Sequence, residues 1–180
     1  ISFRIDNMTA AIQTSEHLVT VPGGNVFVKR WTPETLSSES PIILLHDSLG
    51  SVAQWRDFPE RLSQKLSRSV IAYDRLGFGQ SSSRTELPSV DFISEEANLY
   101  FPALKEALSI ERYILLGHSV GGGMALNIAA TDTDCEALVS IAAQAFVKEV
   151  TLRGIAQAKT VFDKPEQMAK LEKWHGSKAH

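Results

Sequence analysis

Cysteine is nearly missing from this chain: there is one among 180 residues, Cys135, so no internal disulfide framework can form. It opens an apolar run, Cys135-Glu-Ala-Leu-Val-Ser-Ile-Ala-Ala143, and reads as a packed thiol rather than a reactive one. No apolar stretch reaches the roughly 20 residues needed to span a bilayer. The opening residues, Ile1-Ser-Phe-Arg-Ile-Asp-Asn7, lack the basic and apolar blocks of a signal peptide, so cytoplasm is the expected compartment. A formal charge of −3 offers no basic surface, which argues against nucleic acid or an anionic membrane as a partner. No His, Cys, Asp and Glu grouping has metal-ligand spacing, and neither a metal nor another cofactor is expected. Gly121-Gly-Gly123 lacks the lysine of a phosphate-binding P-loop. Gln80-Ser-Ser-Ser-Arg-Thr85, after Gly77-Phe-Gly79, opens no helix and so fails as a dinucleotide loop.

What is present alternates between strand and helix patterns, within a length typical of one domain. Glu16–Val21 and Asn25–Trp31 read as strands joined at Pro22-Gly23-Gly24, an antiparallel hairpin. Pro41–Leu45 and Val70–Tyr73 are short apolar runs of the buried parallel kind. Between them, Trp55, Phe58, Leu62 and Leu66 recur at helical spacing and predict one helix with these side chains on its buried face. A second helix is predicted over Val90–Leu108, broken near Pro102. Strands at Tyr113–Leu116 and Ala137–Ala142 flank a helix over Val120–Ala130. The fold class is therefore α/β, a mostly parallel sheet with helices on both faces. From Gln144 onward the pattern is helical: Phe146–Val150, Ile155–Phe162, and Pro165–Trp174 with Pro165 in a first turn. Ala156, Thr160, Phe162, Met168 and Leu171 are candidates to face an apolar surface. His17 reads as a strand residue, and His175 and His180 as solvent-exposed members of a polar terminus.

The chemistry concentrates at Gly117-His-Ser-Val-Gly121, entered by an apolar run and left by an alanine-rich helical pattern. In that strand–turn–helix context the motif marks Ser119 as a nucleophile. The turn is too sharp for side chains two residues to either side of the serine, which Gly117 and Gly121 satisfy. Ser119 itself is expected in an unfavourable backbone conformation, just before a helix N-terminus that favours a developing anion.

Taken in order, these features resemble the α/β-hydrolase superfamily. The strand Ile42–Leu45 runs into His46-Asp-Ser-Leu-Gly-Ser51, similar to the family's oxyanion loop. Tyr73-Asp-Arg-Leu-Gly-Phe-Gly-Gln-Ser81 looks like its Asp-x-x-Gly-x-Gly-x-Ser loop. The elbow follows, and the strand Ala137–Ala142 then leads into helices where the family carries its cap. The resemblance implies a core over residues 1–143, truncated after its sixth strand, and the start of a helical cap over 144–180. It implies Val120 and Ser48 as backbone oxyanion donors, with Asp47 standing where glycine is usual. His46 and His118 flank the pocket and are assigned to substrate contact rather than to catalysis, and Asp74 to fixing its turn. The Ser48-Leu-Gly50 run resembles that of lactonase-type members.

The family's acid and histidine follow the serine in the chain, on later strands. No strand followed by an acid or by a histidine remains after Ser119, so the chain reads as the N-terminal portion of a serine hydrolase, inactive alone for want of a positioned base. The expected substrate is a small carboxylic ester or lactone cleaved through an acyl-serine. Diketone C–C hydrolysis, cofactor-free perhydrolysis, and a non-catalytic ligand-binding or interaction protein on the same fold remain alternatives. The strand Ala137–Ala142 is expected to be an open sheet edge, prone to self-association there or through the helical tail.

Overall fold

The computed structural model describes residues 11–143 and 149–179. The hairpin forms as β1 (Ile12–Val21) and β2 (Gly24–Pro33), antiparallel and longer than the apolar pattern suggested. Its turn uses Gly23 at φ +86°, a left-handed conformation that glycine adopts at little cost. Then come β3 (Ser38–Leu45), β4 (Arg68–Tyr73), β5 (Tyr113–His118) and β6 (Cys135–Ile141). The sheet has six strands in the order β1-β2-β4-β3-β5-β6, with β4, β3, β5 and β6 mutually parallel. The chain lays β4 on one side of β3 and then crosses to lay β5 on the other. The C-terminal ends of β3 and β5 thus form a topological switch point, where open α/β sheets have a crevice.

Alternation along each strand divides the core in two. Ile43, Leu45, Ile71, Tyr73, Tyr113 and Leu115 face one layer, together with Phe101, Met124 and Ile128 from helices. That layer holds α2 (Phe92–Glu95), a π segment (Glu96–Tyr100), α3 (Phe101–Ala107) and α4 (Val120–Thr131). The break foreseen near Pro102 takes the form of this wide π turn, after which proline enters the first turn of α3, where no N–H is needed. Ile42, Leu44, Val70 and Leu116 face the opposite layer, with Val52 and the partly buried Trp55 and Leu62.

The helix expected over Trp55–Leu66 is in fact two pieces: a 3₁₀ turn (Val52–Trp55) and α1 (Phe58–Leu66). Arg56 between them has φ 54°, and Pro59 lies in the first turn of α1, where its missing N–H is harmless. The break rotates the second piece. Phe58 and Leu66 are 37% and 48% exposed, while Pro59 and Ser63 are buried. Ser63 Oγ donates to the Arg68 carbonyl at 2.8 Å, so a hydroxyl beside the partly buried Leu62 seats α1 on the sheet.

In the tail, α5 (Glu149–Phe162) and α6 (Pro165–His175) are followed by a 3₁₀ turn. Phe146 lies outside the described residues. Ala156 and Thr160 do not face an apolar surface: both are exposed, as are Leu152, Ile155 and Val161 of the same helix. Phe162, Met168 and Leu171 are partly buried. No helix among the described residues is long and apolar enough to cross a membrane.

Candidate active site

Ser119 stands between β5 and α4 with φ 54° and ψ −118°, a conformation rarely accepted by a residue with a side chain. Its N–H donates to the Ile141 carbonyl of β6 at 2.9 Å, and its carbonyl receives the N–H groups of Gly122 and Gly123. The flanking glycines are required by contact. A Cβ on Gly117 would lie 2.2 Å from the Gly121 carbonyl oxygen, and one on Gly121 would lie 2.2 Å from that of Leu45. The helix start is therefore pressed against both its own strand and the end of β3. Val120 is the first residue of α4, and its N–H has no acceptor within the helix.

The pairing of Leu45 with Gly117 brings the loop after β3 alongside the elbow. That loop turns through Gly50 N–H to the Asp47 carbonyl at 3.3 Å, and Leu49 N–H to Asp47 Oδ1 at 3.1 Å. Asp47, which replaces the usual glycine, thus spends one carboxylate oxygen on its own turn. The other lies 3.5 Å from His118 Nδ1, and both side chains are partly exposed.

His46 is only 2% exposed, and both ring nitrogens are taken by backbone. Nδ1–H donates to the Asp47 carbonyl at 2.8 Å, and Nε2 accepts the Arg75 N–H at 3.1 Å. Burial first, and the Arg75 charge second, hold its pKa well below the usual histidine value, so the ring is neutral. This imidazole is a brace between the loop after β3 and the loop after β4.

No local pattern points to the part played by Arg75. Its Nη2 donates to the carbonyl of Asp47 at 2.6 Å and reaches that of Ser48 at 3.4 Å. The Asp47 carbonyl shares its peptide plane with the Ser48 N–H, so this grip fixes the direction of that candidate donor. Asp74 knits the same region: Oδ1 accepts from Val52 N–H at 2.6 Å and Oδ2 from Gln80 N–H at 2.7 Å. Ser81 Oγ donates to the Asp74 carbonyl and accepts from Phe27 N–H, tying the loop to β2.

His175, expected in solvent, is buried at 4% exposure. Nδ1 accepts from Gly79 N–H at 3.0 Å and Nε2–H donates to the Leu49 carbonyl at 2.9 Å, which sets the tautomer. The ring also meets Phe78 edge-on at 5.7 Å. A residue at the end of α6 thus clasps the loop after β3 to the loop after β4. Composition placed it outside because its neighbours are polar, and a single buried side chain leaves no periodic signal. His180 lies outside the described residues.

A cavity of about 190 Å³ adjoins the elbow, lined by Ser48 and Val120 together with Arg75, Phe78, Glu96 and Met124, among others. The structure brings the two expected oxyanion residues to one cavity wall. It does not bring His46 or His118 there. Among the described residues, no acid or base is hydrogen-bonded to the Ser119 hydroxyl, and no group of three or more His, Cys, Asp or Glu could hold a metal.

A strained elbow facing a braced loop, at the switch point of a mostly parallel sheet, defines a protein of the hydrolase-type α/β class. Residues 40–174 match the sequence profile of the α/β hydrolase fold, and the chain belongs to that family. The 1-acylglycerol-3-phosphate O-acyltransferase ABHD5 of Rattus norvegicus is 36% identical over 111 residues, covering 59% of this chain and 30% of that protein. Proline iminopeptidase of Lactobacillus helveticus is 36% identical over 90 residues, covering 50% and 30% respectively. Among solved structures, carboxylesterase CesB of Bacillus subtilis aligns with a TM-score of 0.62 at 22% identity, covering 81% of this chain and 50% of that one, a likeness of fold. The match thus spans about a third of the length of these curated relatives.

Proposed function

We propose that this chain carries the nucleophile and oxyanion half of a serine hydrolase that cleaves a small carboxylic ester or lactone. Ser119 Oγ attacks the acyl carbon, the carbonyl oxygen becomes an oxyanion held by the N–H groups of Val120 and Ser48, and collapse of this intermediate expels the alcohol, which takes up the serine proton and leaves an acyl-serine. Water then releases the acid. Removing one such donor typically costs about 10²–10³ in turnover. The observation that carries the reading is the elbow: Ser119 at φ 54°, with carbonyl oxygens 2.2 Å from where Cβ atoms on Gly117 and Gly121 would stand. Such strain is a cost to stability and persists where it aims a side chain. The fold also fits diketone C–C hydrolysis and perhydrolysis, which use the same serine.

A fluorophosphonate probe tests the proposal on this chain, on a version extended past residue 180, and on both with Ser119→Ala. Labelling of the extended form that vanishes in the alanine variant is expected. A second reading, a ligand-binding protein on this fold, is favoured by the Ser119 hydroxyl having no acid or base bonded to it among the described residues. An extended form that stays unlabelled would decide for it.

A further inference from the structure

Arg75 holds a charge that its bracing role does not need. It is 5% exposed, stacks on Phe78 with Cζ 4.5 Å from the ring centre, and leaves Nε buried without a hydrogen-bond partner. Among the described residues no carboxylate lies within 4.0 Å of its guanidinium. Glu96 and Asp47 favour its cation from farther away, yet taking an ion out of water without a direct partner costs several kcal/mol, and a neutral amide could hold the carbonyls of Asp47 and Ser48 as well. The same cavity wall carries a second arginine, Arg84, whose guanidinium lies over Tyr100 and whose Nε donates to the Leu76 carbonyl at 3.3 Å. Glu96 supplies the one carboxyl group of the lining, and it is engaged by the Tyr73 hydroxyl at 2.6 Å. Burial pushes that carboxyl toward its neutral form. Two guanidinium groups against at most one carboxylate leave an otherwise apolar cavity with a net positive charge.

We propose that this cavity is an acyl subsite for a carboxylate, so that the ester bears a short acyl chain ending in COO⁻ held by Arg75 and Arg84. The orientation of that chain rests on the serine hydrolase reading; the anion preference does not. A cavity of about 190 Å³ suits a short acyl chain, such as three methylenes and a carboxylate. Such an anion completes the ion pair that Arg75 lacks, and a neutral chain of equal length leaves it unpaired.

Monoethyl glutarate and ethyl pentanoate differ only in a carboxylate against a methyl group at the far end of the acyl chain. Binding of each is measured by calorimetry on the full chain carrying Ser119→Ala, which turns over neither. The charged ester is expected to bind about tenfold tighter or more, as a charge-assisted pair allows. Arg84→Gln should cut that preference at least about fivefold while leaving ethyl pentanoate within about twofold. Equal binding of the two esters, binding of neither, or a preference that survives the arginine substitution overturns the proposal. Failure of probe labelling with the preference intact would instead sink the hydrolase reading and leave an anion-binding protein.

Discussion

Replacing His175 by alanine removes the one side chain of α6 that enters the core, and the loss can be estimated from its contacts. The imidazole makes two hydrogen bonds, to Gly79 N–H at 3.0 Å and the Leu49 carbonyl at 2.9 Å, and one ring contact with Phe78. Left without water, an orphaned backbone group costs about 1–3 kcal/mol, and the edge contact is worth about 0.5–1.5 kcal/mol. The sum for a tail that stayed docked is therefore about 2.5–7.5 kcal/mol. It will not be realised in full, because α6 is held by few other buried side chains and can lift away. Water then satisfies both groups. We expect urea unfolding to show a loss of about 2 kcal/mol, with the remainder appearing as local opening. Hydrogen exchange followed by mass spectrometry should show faster exchange across residues 165–179 and around Leu49 and Gly79, with β3 and β5 unchanged. His175→Gln, which keeps a donor and an acceptor, should recover part of the protection. A variant with unaltered exchange in the tail and less than about 0.5 kcal/mol lost would refute the clasp.

Ser119→Gly relieves a backbone strain worth about 1–3 kcal/mol against a glycine entropy cost of about 0.5–1 kcal/mol, so we expect a net gain near 1 kcal/mol. A raised Tm together with lost probe labelling is the expected pair of outcomes. Glu96 has a raised pKa through burial, so the folded state holds its proton at pH values where the unfolded chain, near 4.5, has released it. Its contribution to stability therefore falls as pH rises above 4.5 and levels off beyond the folded-state value. Glu96→Gln should gain on the parent protein over that window, read from paired urea titrations at several pH values. At the sheet edge, β6 exposes Val139 and Ile141 at 46% and 45%. Concentration-dependent sedimentation is expected, weakened by Val139→Lys, and a monodisperse monomer at high concentration would contradict it.

The strand–helix alternation was legible because each buried strand is short and apolar and each turn carries glycine or proline, all local signals. Gly117 could likewise be read as a contact glycine, since the Gly121 carbonyl it meets lies four residues along the chain, whereas Gly121 meets the distant end of β3. The arms of the site were harder. Ser63 seating α1 shows where periodicity misled: Arg56 and Pro59 break the helix, and the face computed for one continuous helix no longer applies. Exposed apolar side chains on α5, such as Ile155 at 59%, show the same limit, because a helical pattern names a face without naming what covers it.

By itself the sequence determined the order of elements, the elbow at Ser119, and the loops that follow β3 and β4, all of them signals written within a few consecutive residues. The three-dimensional arrangement alone decided that Arg75 grips the carbonyls of Asp47 and Ser48, that His46 is a brace, and that His175 closes a contact across 126 residues of chain. Each of these is a hydrogen bond between a side chain and a distant backbone group. Backbone groups are alike in every residue, so nothing in the partner's identity advertises such a bond. Only the register of β3 against β4, and the docking of α6, could select which carbonyl and which N–H would meet.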